Sequence, residues 1–369
     1  MIILRKYALR ELLTPFLLSL LFFTFIFLVG NLVKLADLLI NKGVDFFDIL
    51  KILVLLIPKL LSFTLPTSAL TAVLLVFGGF AQNNEITAMK ASGVSLFSVM
   101  LPVFLVSFLL SLAGLFVNDQ VQSRAQFAYR QAVKDLLLKR PMAYLEAGRF
   151  IKDFRDYIIL TQRIDGNRLY DITIYQPQNK GRATRTIMAE WGEIVSSPND
   201  RTITLKLYNG TSDEPNPQDP SAFYKLNFKS FQLPPIHLDK EGSGKSDVKK
   251  VKDMSLDEII YNLYHNPELR ETPDARKEME AELHKKVSFS FAPFVFAVVG
   301  LPLAVITRRG EAVISFTLAI SIVAFYYVFF IWSRTISIQG YCPSFIALWL
   351  PNLFMVICGL LLMKRVLTL

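Results

Sequence analysis

The residues that look most like chemistry are the first to be excluded. Gly242-Ser243-Gly244-Lys245-Ser246 resembles the end of a Walker A loop, but that pattern needs Gly five positions before Gly244, and Asp239 stands there. No hydrophobic strand leads into the segment, so it reads as a solvated loop and the chain as no ATPase. His237, His265 and His284 are scattered without metal-ligand spacing. Cys342 and Cys358 are 16 residues apart. On one helix that is roughly 24 Å of rise, beyond disulfide reach. There is no Ser/His/Asp arrangement, no Gly-rich nucleotide loop and no Asp or Glu inside the apolar stretches. The last absence argues against a proton-driven transporter, whose relays use intramembrane carboxylates. Neither catalysis nor a metal or cofactor is expected.

Two other groups of residues have better prospects. Residues 82–94, centred on Asn84-Glu85-Ile86-Thr87-Ala88-Met89-Lys90-Ala91-Ser92-Gly93, place Ile86 and Met89 at helical spacing and end in a glycine stop. The spacing predicts a short amphipathic helix, either a plain interfacial connector or a docking helix for a partner, with Glu85 as its charged contact. Lys34 sits at the end of the first apolar stretch, where a lysine either snorkels to headgroups or lines a cavity and pairs with an anion. Arg124 and Arg130 follow the third apolar stretch. At one level the three cations would suit phosphate, which arginine binds bidentately; the alternative is an ordinary solvated face.

The elements that must position these residues follow from hydropathy. Of 369 residues, 52% are hydrophobic and 30 are Phe. Six apolar stretches are long enough to cross a bilayer, roughly 12–36, 49–80, 96–117, 287–306, 312–332 and 345–363. A soluble globular enzyme and a disordered chain are excluded. Pro58 and Pro66 predict a kinked or tilted second helix. The first apolar run is too long for a cleavable signal and has no small-residue cleavage pattern. The organisation expected is three transmembrane helices in 1–117, a large polar domain in 118–286, and three more helices in 287–369. The net charge is +9, but 118–286 holds 27 Lys+Arg against 25 Asp+Glu. The excess therefore flanks the apolar stretches, as the positive-inside rule requires, and nucleic acid is not implied. The same rule puts both termini and the 81–95 and 307–311 loops in the cytoplasm, and the polar domain outside.

That domain reads as β up to about residue 233. Residues 157–164 and 169–175 flank Asp165-Gly166-Asn167, and 184–195 and 202–208 flank Pro198-Asn199-Asp200, giving two hairpins. Asn209-Gly210 is expected to turn the chain before another alternating run at 223–231. Short strands at this spacing suggest a sandwich or partial barrel. Ser255-Leu256-Asp257-Glu258 is a capping box. Thr272-Pro273 opens a charged helix expected to run uninterrupted into the fourth apolar stretch.

Taken in order, several segments make the whole chain resemble the lipopolysaccharide-export permease family of LptF/LptG type. They are Met1-Ile2-Ile3, Leu65-Pro66-Thr67-Ser68-Ala69-Leu70, Asn84 to Gly93, Glu282-Leu283-His284-Lys285-Lys286, Gly300-Leu301-Pro302-Leu303 and Trp349-Leu350-Pro351-Asn352. The resemblance implies a non-catalytic permease of the bacterial inner membrane: six transmembrane helices (3+3) with an inserted periplasmic all-β domain, a β-jelly roll. It further implies a second homologous permease subunit, a dimeric cytosolic ABC ATPase and periplasmic jelly-roll partners, with lipopolysaccharide drawn from among the membrane lipids as cargo. The segment near 83–93 becomes the coupling helix, with Glu85, Ile86, Met89 and Lys90 at the ATPase. Lys34, Arg124 and Arg130 become contacts to lipid phosphates. The alternatives are an ATPase-coupled mechanotransmitter or a structural scaffold that moves no lipid.

Overall fold

The computed structural model describes residues 2–40, 44–139, 147–151, 157–166, 168–177, 184–197, 202–215, 223–237, 249–266, 273–308 and 311–368. The chain divides into two compact units. One comprises Met1–Val33, Leu53–Ala128 and Lys249–Leu369; the other comprises Lys34–Ile52 and Tyr129–Val248.

The first unit is built from helices: α1 (Ile2–Ile40), α2 (Phe46–Gln82), α3 (Glu85–Ala91), α4 (Leu96–Phe116), a π-helical turn (Val117–Val121), α5 (Gln122–Lys139), α6 (Leu256–His265), α7 (Pro273–Ser290), α8 (Ala292–Thr307), α9 (Ala312–Gln339), α10 (Ser344–Ala347) and α11 (Leu350–Thr368). The ends of α1, α2 and α5 pass into the second unit. Among the described residues four spans are long and apolar enough to cross a membrane: Ile2–Val33, Leu96–Leu136, Ala312–Gln339 and Ser344–Leu367. A fifth is the bent pair α7–α8. The second stretch read from the sequence lies on α2, one helix that carries Pro58 and Pro66 inside it.

Several segments behind the family resemblance turn out to be packing contacts. A Cβ on Gly300 would sit 2.7 Å from Leu70 Cδ1, so the two segments carrying these residues meet closely enough that a larger residue would push the Leu70 side chain aside. Asn352 donates to Ser288 O at 2.8 Å and accepts from Tyr326 Oη at 2.8 Å, tying α11 to α7 and α9 with its polar atoms satisfied. Around them Leu70, Phe77, Met100, Phe296 and Tyr326 are fully buried.

Two expectations for the helices do not hold. The charged helix does not run uninterrupted into the membrane segment: α7 ends at Ser290, α8 starts at Ala292, and their axes differ by 42°. Pro293 is the cause, since it has no N–H for the carbonyl of Phe289 and its ring crowds that turn. Buried carboxylates do exist within the long helical segments, because α4–α5 and α7 extend beyond the apolar runs. Asp119 and Glu282 are only 9% and 2% exposed.

The second unit centres on one antiparallel sheet. Its strands are β1 (Phe150–Ile151), β2 (Ile158–Asp165), β3 (Arg168–Gln176), β4 (Arg185–Ser197), β5 (Thr202–Pro215), β6 (Phe223–Gln232) and β7 (Ile236–His237). They follow the order β1-β2-β3-β4-β5-β6, with β7 beside β5. The β2–β3 hairpin forms as its turn residues predict, with Gly166 at φ +55°. The second turn, Pro198-Asn199-Asp200, lies outside the described residues. Asn209-Gly210 does not turn the chain. β5 runs straight through, with Asn209 at φ +51° inside the strand and Gly210 pressed against β4 and β6; a Cβ there would lie 2.3 Å from Met188 O.

Asn209 belongs to a row. In β2 the inward residues are Ile159 and Thr161, then Ile164; in β3 Leu169, then Ile172 and Ile174. In β4 they are Ile187 and Ala189, then Gly192 and Ile194; in β5 Ile203, Leu205 and Leu207, then Gly210 and Ser212. Each strand spends one residue outside the two-residue alternation: Gln162, Asp171, Glu190 and Asn209. The pairings on either side keep one register, such as Ile172 with Ala189 and Tyr170 with Trp191. The skipped residues therefore align across five strands, for Lys229 of β6 falls between the pairs Tyr208–Ser230 and Gly210–Phe228, with Phe228 and Phe231 packed on the core. Asp171, like Asn209, adopts φ +51°, and Asn209 Nδ2 donates to Glu190 at 3.1 Å.

Candidate functional site

The α3 corner is positioned by backbone chemistry at both ends. Asn84 enters it at φ +59°, a conformation asparagine tolerates better than most residues. Gly93 leaves it at φ +76°, donating to Lys90 O, while Val94 donates to Met89 O, both at 3.0 Å. Those paired bonds are the Schellman stop that Gly93 predicts. Ile86 and Met89 are buried against the core of α2 and α4. Thr87, Ala88 and Ala91 face outward, and Glu85 is half-buried. Two chain ends brace the corner. Tyr7 Oη on α1 donates to Glu85 at 3.4 Å while its ring stacks on Phe80, and Lys90 Nζ donates to Val366 O on α11 at 2.9 Å. Arg5 holds α1 to the start of α4 through Ser98 O and Oγ, at 3.0 and 2.7 Å. The four residues expected at the coupling helix are thus together but divided in orientation. Ile86 and Met89 anchor it, Lys90 caps α11, and Glu85 with its exposed neighbours is left to meet anything outside.

A second polar site surrounds the π turn. The extra residue of that wide turn lets consecutive residues Asn118 and Asp119 both be buried. Asn118 contacts Ser62 of α2 and donates to Ser290 Oγ of α7 at 2.8 Å. Asp119 accepts from the Leu256 N–H at 2.6 Å and from Gln120 Nε2 at 2.8 Å, holding the first turn of α6. Lys286 Nζ donates to Ser123 Oγ and Met254 O. Glu282 is paired with Lys285 and with Arg334 of α9, the latter at 3.5 Å. On α6 the capping box is complete: Ser255 Oγ accepts from the Glu258 N–H and Glu258 accepts from the Ser255 N–H. Partial burial pushes the Glu258 carboxyl up, but its bonds to Lys249 and the Ser255 N–H outweigh that and hold it below the usual carboxylate range.

The basic residues expected at lipid phosphates lie on two helices, α1 and α5. Lys34 lies on α1, and its side chain is outside the described set. Arg124 is exposed and donates to Gln120 Oε1 at 3.1 Å. Arg130 is half-buried in the other unit, already engaged. The Walker-like segment 242–246 lies outside the described residues. Among those described, no group of His, Cys, Asp or Glu is placed to hold a metal. Sequence reasoning missed Asn118, Asp119 and Arg334, and reached Glu282 and Lys286 only as members of a family-like segment. A signal existed for Arg334, a cation two residues past Trp332 at the end of an apolar run.

Apolar spanning helices with buried polar hubs, joined to a separate antiparallel sheet, define a multi-pass membrane protein with an inserted β domain. The family model for the lipopolysaccharide export system permease LptF/LptG matches residues 6–365, and the chain belongs to that family. The permease protein LptF of Escherichia coli K12 is 22% identical over 348 residues, covering 92% of this chain and 87% of that protein. An uncharacterised protein of Rickettsia prowazekii, RP871, is 21% identical over 180 residues, 48% of this chain and 50% of its own length.

Proposed function

We propose that this chain is a transmembrane subunit of a lipopolysaccharide exporter in a bacterial inner membrane, driven by a separate cytosolic ATPase. The observation that carries the reading is the family match across residues 6–365. Six spans are proposed, α2 being the sixth, with both termini cytoplasmic. The polar region 118–286 is proposed to lie in the periplasm with its helical return segment, its strands forming a domain of jelly-roll type that receives the lipid and meets similar domains of partner proteins. A second homologous permease completes the lipid path, and Lys34, Arg124 and Arg130 are proposed to face lipid phosphates along it.

The physical task is severe. Withdrawing acyl chains from a bilayer exposes apolar surface at about 0.8 kcal/mol per CH₂, so extraction needs an external energy source. α3 is the proposed point of entry for that energy. Ile86 and Met89 fasten it to α2 and α4, so a push on its outer face moves long helices rather than a loose loop. Glu85, with Thr87, Ala88 and Ala91 beside it, is the proposed ATPase contact.

Affinity isolation of the tagged chain from its native membrane tests the reading. The ATPase and a second permease are expected to co-purify, and Glu85→Ala is expected to lose at least tenfold of the ATPase while keeping the second permease. Isolation without any ATPase, or a Glu85→Ala chain that retains it fully, overturns the assignment of α3.

A further inference from the structure

Strict alternation sends every second residue of a strand to one face. At the skipped row two consecutive residues turn away from the core on each strand: Gln162-Arg163, Tyr170-Asp171, Glu190-Trp191, Tyr208-Asn209 and Lys229-Ser230. Two rows of different chemistry therefore run side by side across the outer face of the sheet. One carries amides and carboxylates from Gln162 through Asp171 and Glu190 to Asn209, with Lys229 at its end. The other starts at Arg163 and continues through Tyr170, Trp191 and Tyr208, which pair in register. Its rings form a ridge: Trp191 stacks on Tyr208 with centroids 3.9 Å apart, Arg163 lies over Tyr170, and Arg168 lies over Trp191.

On the other side of the polar row lies a groove of about 430 Å³, wholly within the β unit. Its far wall is Thr173, Met188 and Thr211, and its floor is the backbone of Ile172, Ala189 and Gly210. Among the described residues no Lys or Arg lines it. Asp171 and Glu190 stand on neighbouring strands at one register, where like charges oppose each other. Among the described residues neither is paired with a cation, and Glu190 accepts a hydrogen bond from the Asn209 amide. An anion would be repelled by both carboxylates, and a purely apolar ligand would find only Met188. Carboxylates that accept, set among amides and threonine hydroxyls that both donate and accept, are matched by a neutral ligand rich in hydroxyl groups. The ridge beside them offers aromatic carbon to the C–H groups of the same ligand.

We infer that this groove binds saccharide, with sugar hydroxyls on Gln162, Asp171, Glu190 and Asn209 and the C–H faces of the sugar against the ridge and Met188. Strands about 4.8 Å apart make the row from Gln162 to Asn209 roughly 14 Å long, so the ligand is a short oligosaccharide lying across the strands. The inference rests on the lipopolysaccharide-export reading for the source of that ligand, the saccharide part of the exported glycolipid.

Saturation-transfer NMR of the full-length chain, in mild detergent with its accompanying subunits, tests this with lipid-free saccharide released from lipopolysaccharide as the probe. Saturation is expected on the sugar ring protons, and titration gives the Kd. Glu190→Ala and Asp171→Asn are each expected to raise that Kd about tenfold, the effect of losing one charge-assisted hydrogen bond. Asparagine suits the left-handed backbone at residue 171. Thr211→Val, which loses only a hydroxyl, is the further variant if those two fold poorly, and it is expected to raise the Kd about threefold. Glu193→Gln, on the far side of the ridge, is expected to leave the Kd unchanged. No saturation, or a Kd that the groove variants do not move, overturns the inference. So does an equal loss in Glu193→Gln, which marks a general effect of charge. Saccharide held only in calcium and released by a chelator makes the groove a cation site, and overturns it as well. Mass spectrometry of the same preparation identifies the subunits. A complex that keeps its ATPase and binds no saccharide overturns the groove and leaves the proposed function standing; saccharide bound in the groove of a chain isolated without any ATPase does the reverse.

Discussion

The α3 corner and the π-turn hub both fasten helices of the same unit, and they do so by opposite means. At α3 the anchors are apolar: Ile86 and Met89 are buried, and the few hydrogen bonds around them are supplementary. At the hub the anchors are ionic and amide groups, with Glu282, Lys286, Asp119 and Asn118 each buried and each supplied with partners. Removing an apolar anchor leaves a void. Removing one member of a buried ionic set leaves its partners charged and unanswered, which costs more. The hub is therefore the more brittle of the two, and α3 the more forgiving.

The largest expected effect lies at the hub. Glu282→Leu strands Lys285 and Arg334 and is expected to cost about 3–5 kcal/mol, read as a collapse of the purified chain's thermal unfolding temperature. A change within a degree or two would show that water reaches the cations and that the hub is not ionic in the sense described. Next comes α3, where Met89→Ala is expected to cost about 2–5 kcal/mol. Because the void lies under a short helix, the expected signature is faster hydrogen exchange over 85–94 with the hub unaffected. Loss of protection throughout the helical unit would erase the contrast.

The smallest effect belongs to α6, which the hub holds through Asp119. Ser255→Ala removes half the capping box and is expected to cost about 1 kcal/mol. Acid should act on the other half. The Glu258 carboxyl is depressed in the folded chain, so its contribution is present above the unfolded value and is lost as pH falls through the folded one. Exchange protection of α6 is accordingly expected to drop below about pH 4 while α3 is unchanged. Equal loss in both would mean that acid acts through something other than this cap.

The same contrast explains what the sequence made legible. Ile86, Met89 and Gly93 could be read because a helical apolar spacing and a left-handed stop are local patterns. The hub could not, since Ser62, Asn118, Lys286 and Arg334 come from distant segments and nothing in their own neighbourhoods pairs them. Asp119 falls two residues beyond an apolar run, so hydropathy leaves it outside a helix that in fact continues through it. Hydropathy joins the two halves of the helix across Phe291, and only Pro293 marks the break. Asn209-Gly210 has the composition of a turn, and only its cross-strand neighbours show that it is a skipped position within a strand. The resemblance supplied the family as a whole, and the structure then gave Leu70, Gly300 and Asn352 their physical role as close contacts.

That skipped position has a consequence for how such a sheet can change over generations. Gln162, Asp171, Glu190, Asn209 and Lys229 each shift their strand's alternation by one, and they do so in the same row. A one-residue deletion at any of them would turn the rest of that strand inside out, against neighbours that had not moved. Drift at this row is therefore constrained as if the five codons were one, and a lineage can gain or lose the offset only in all five strands together.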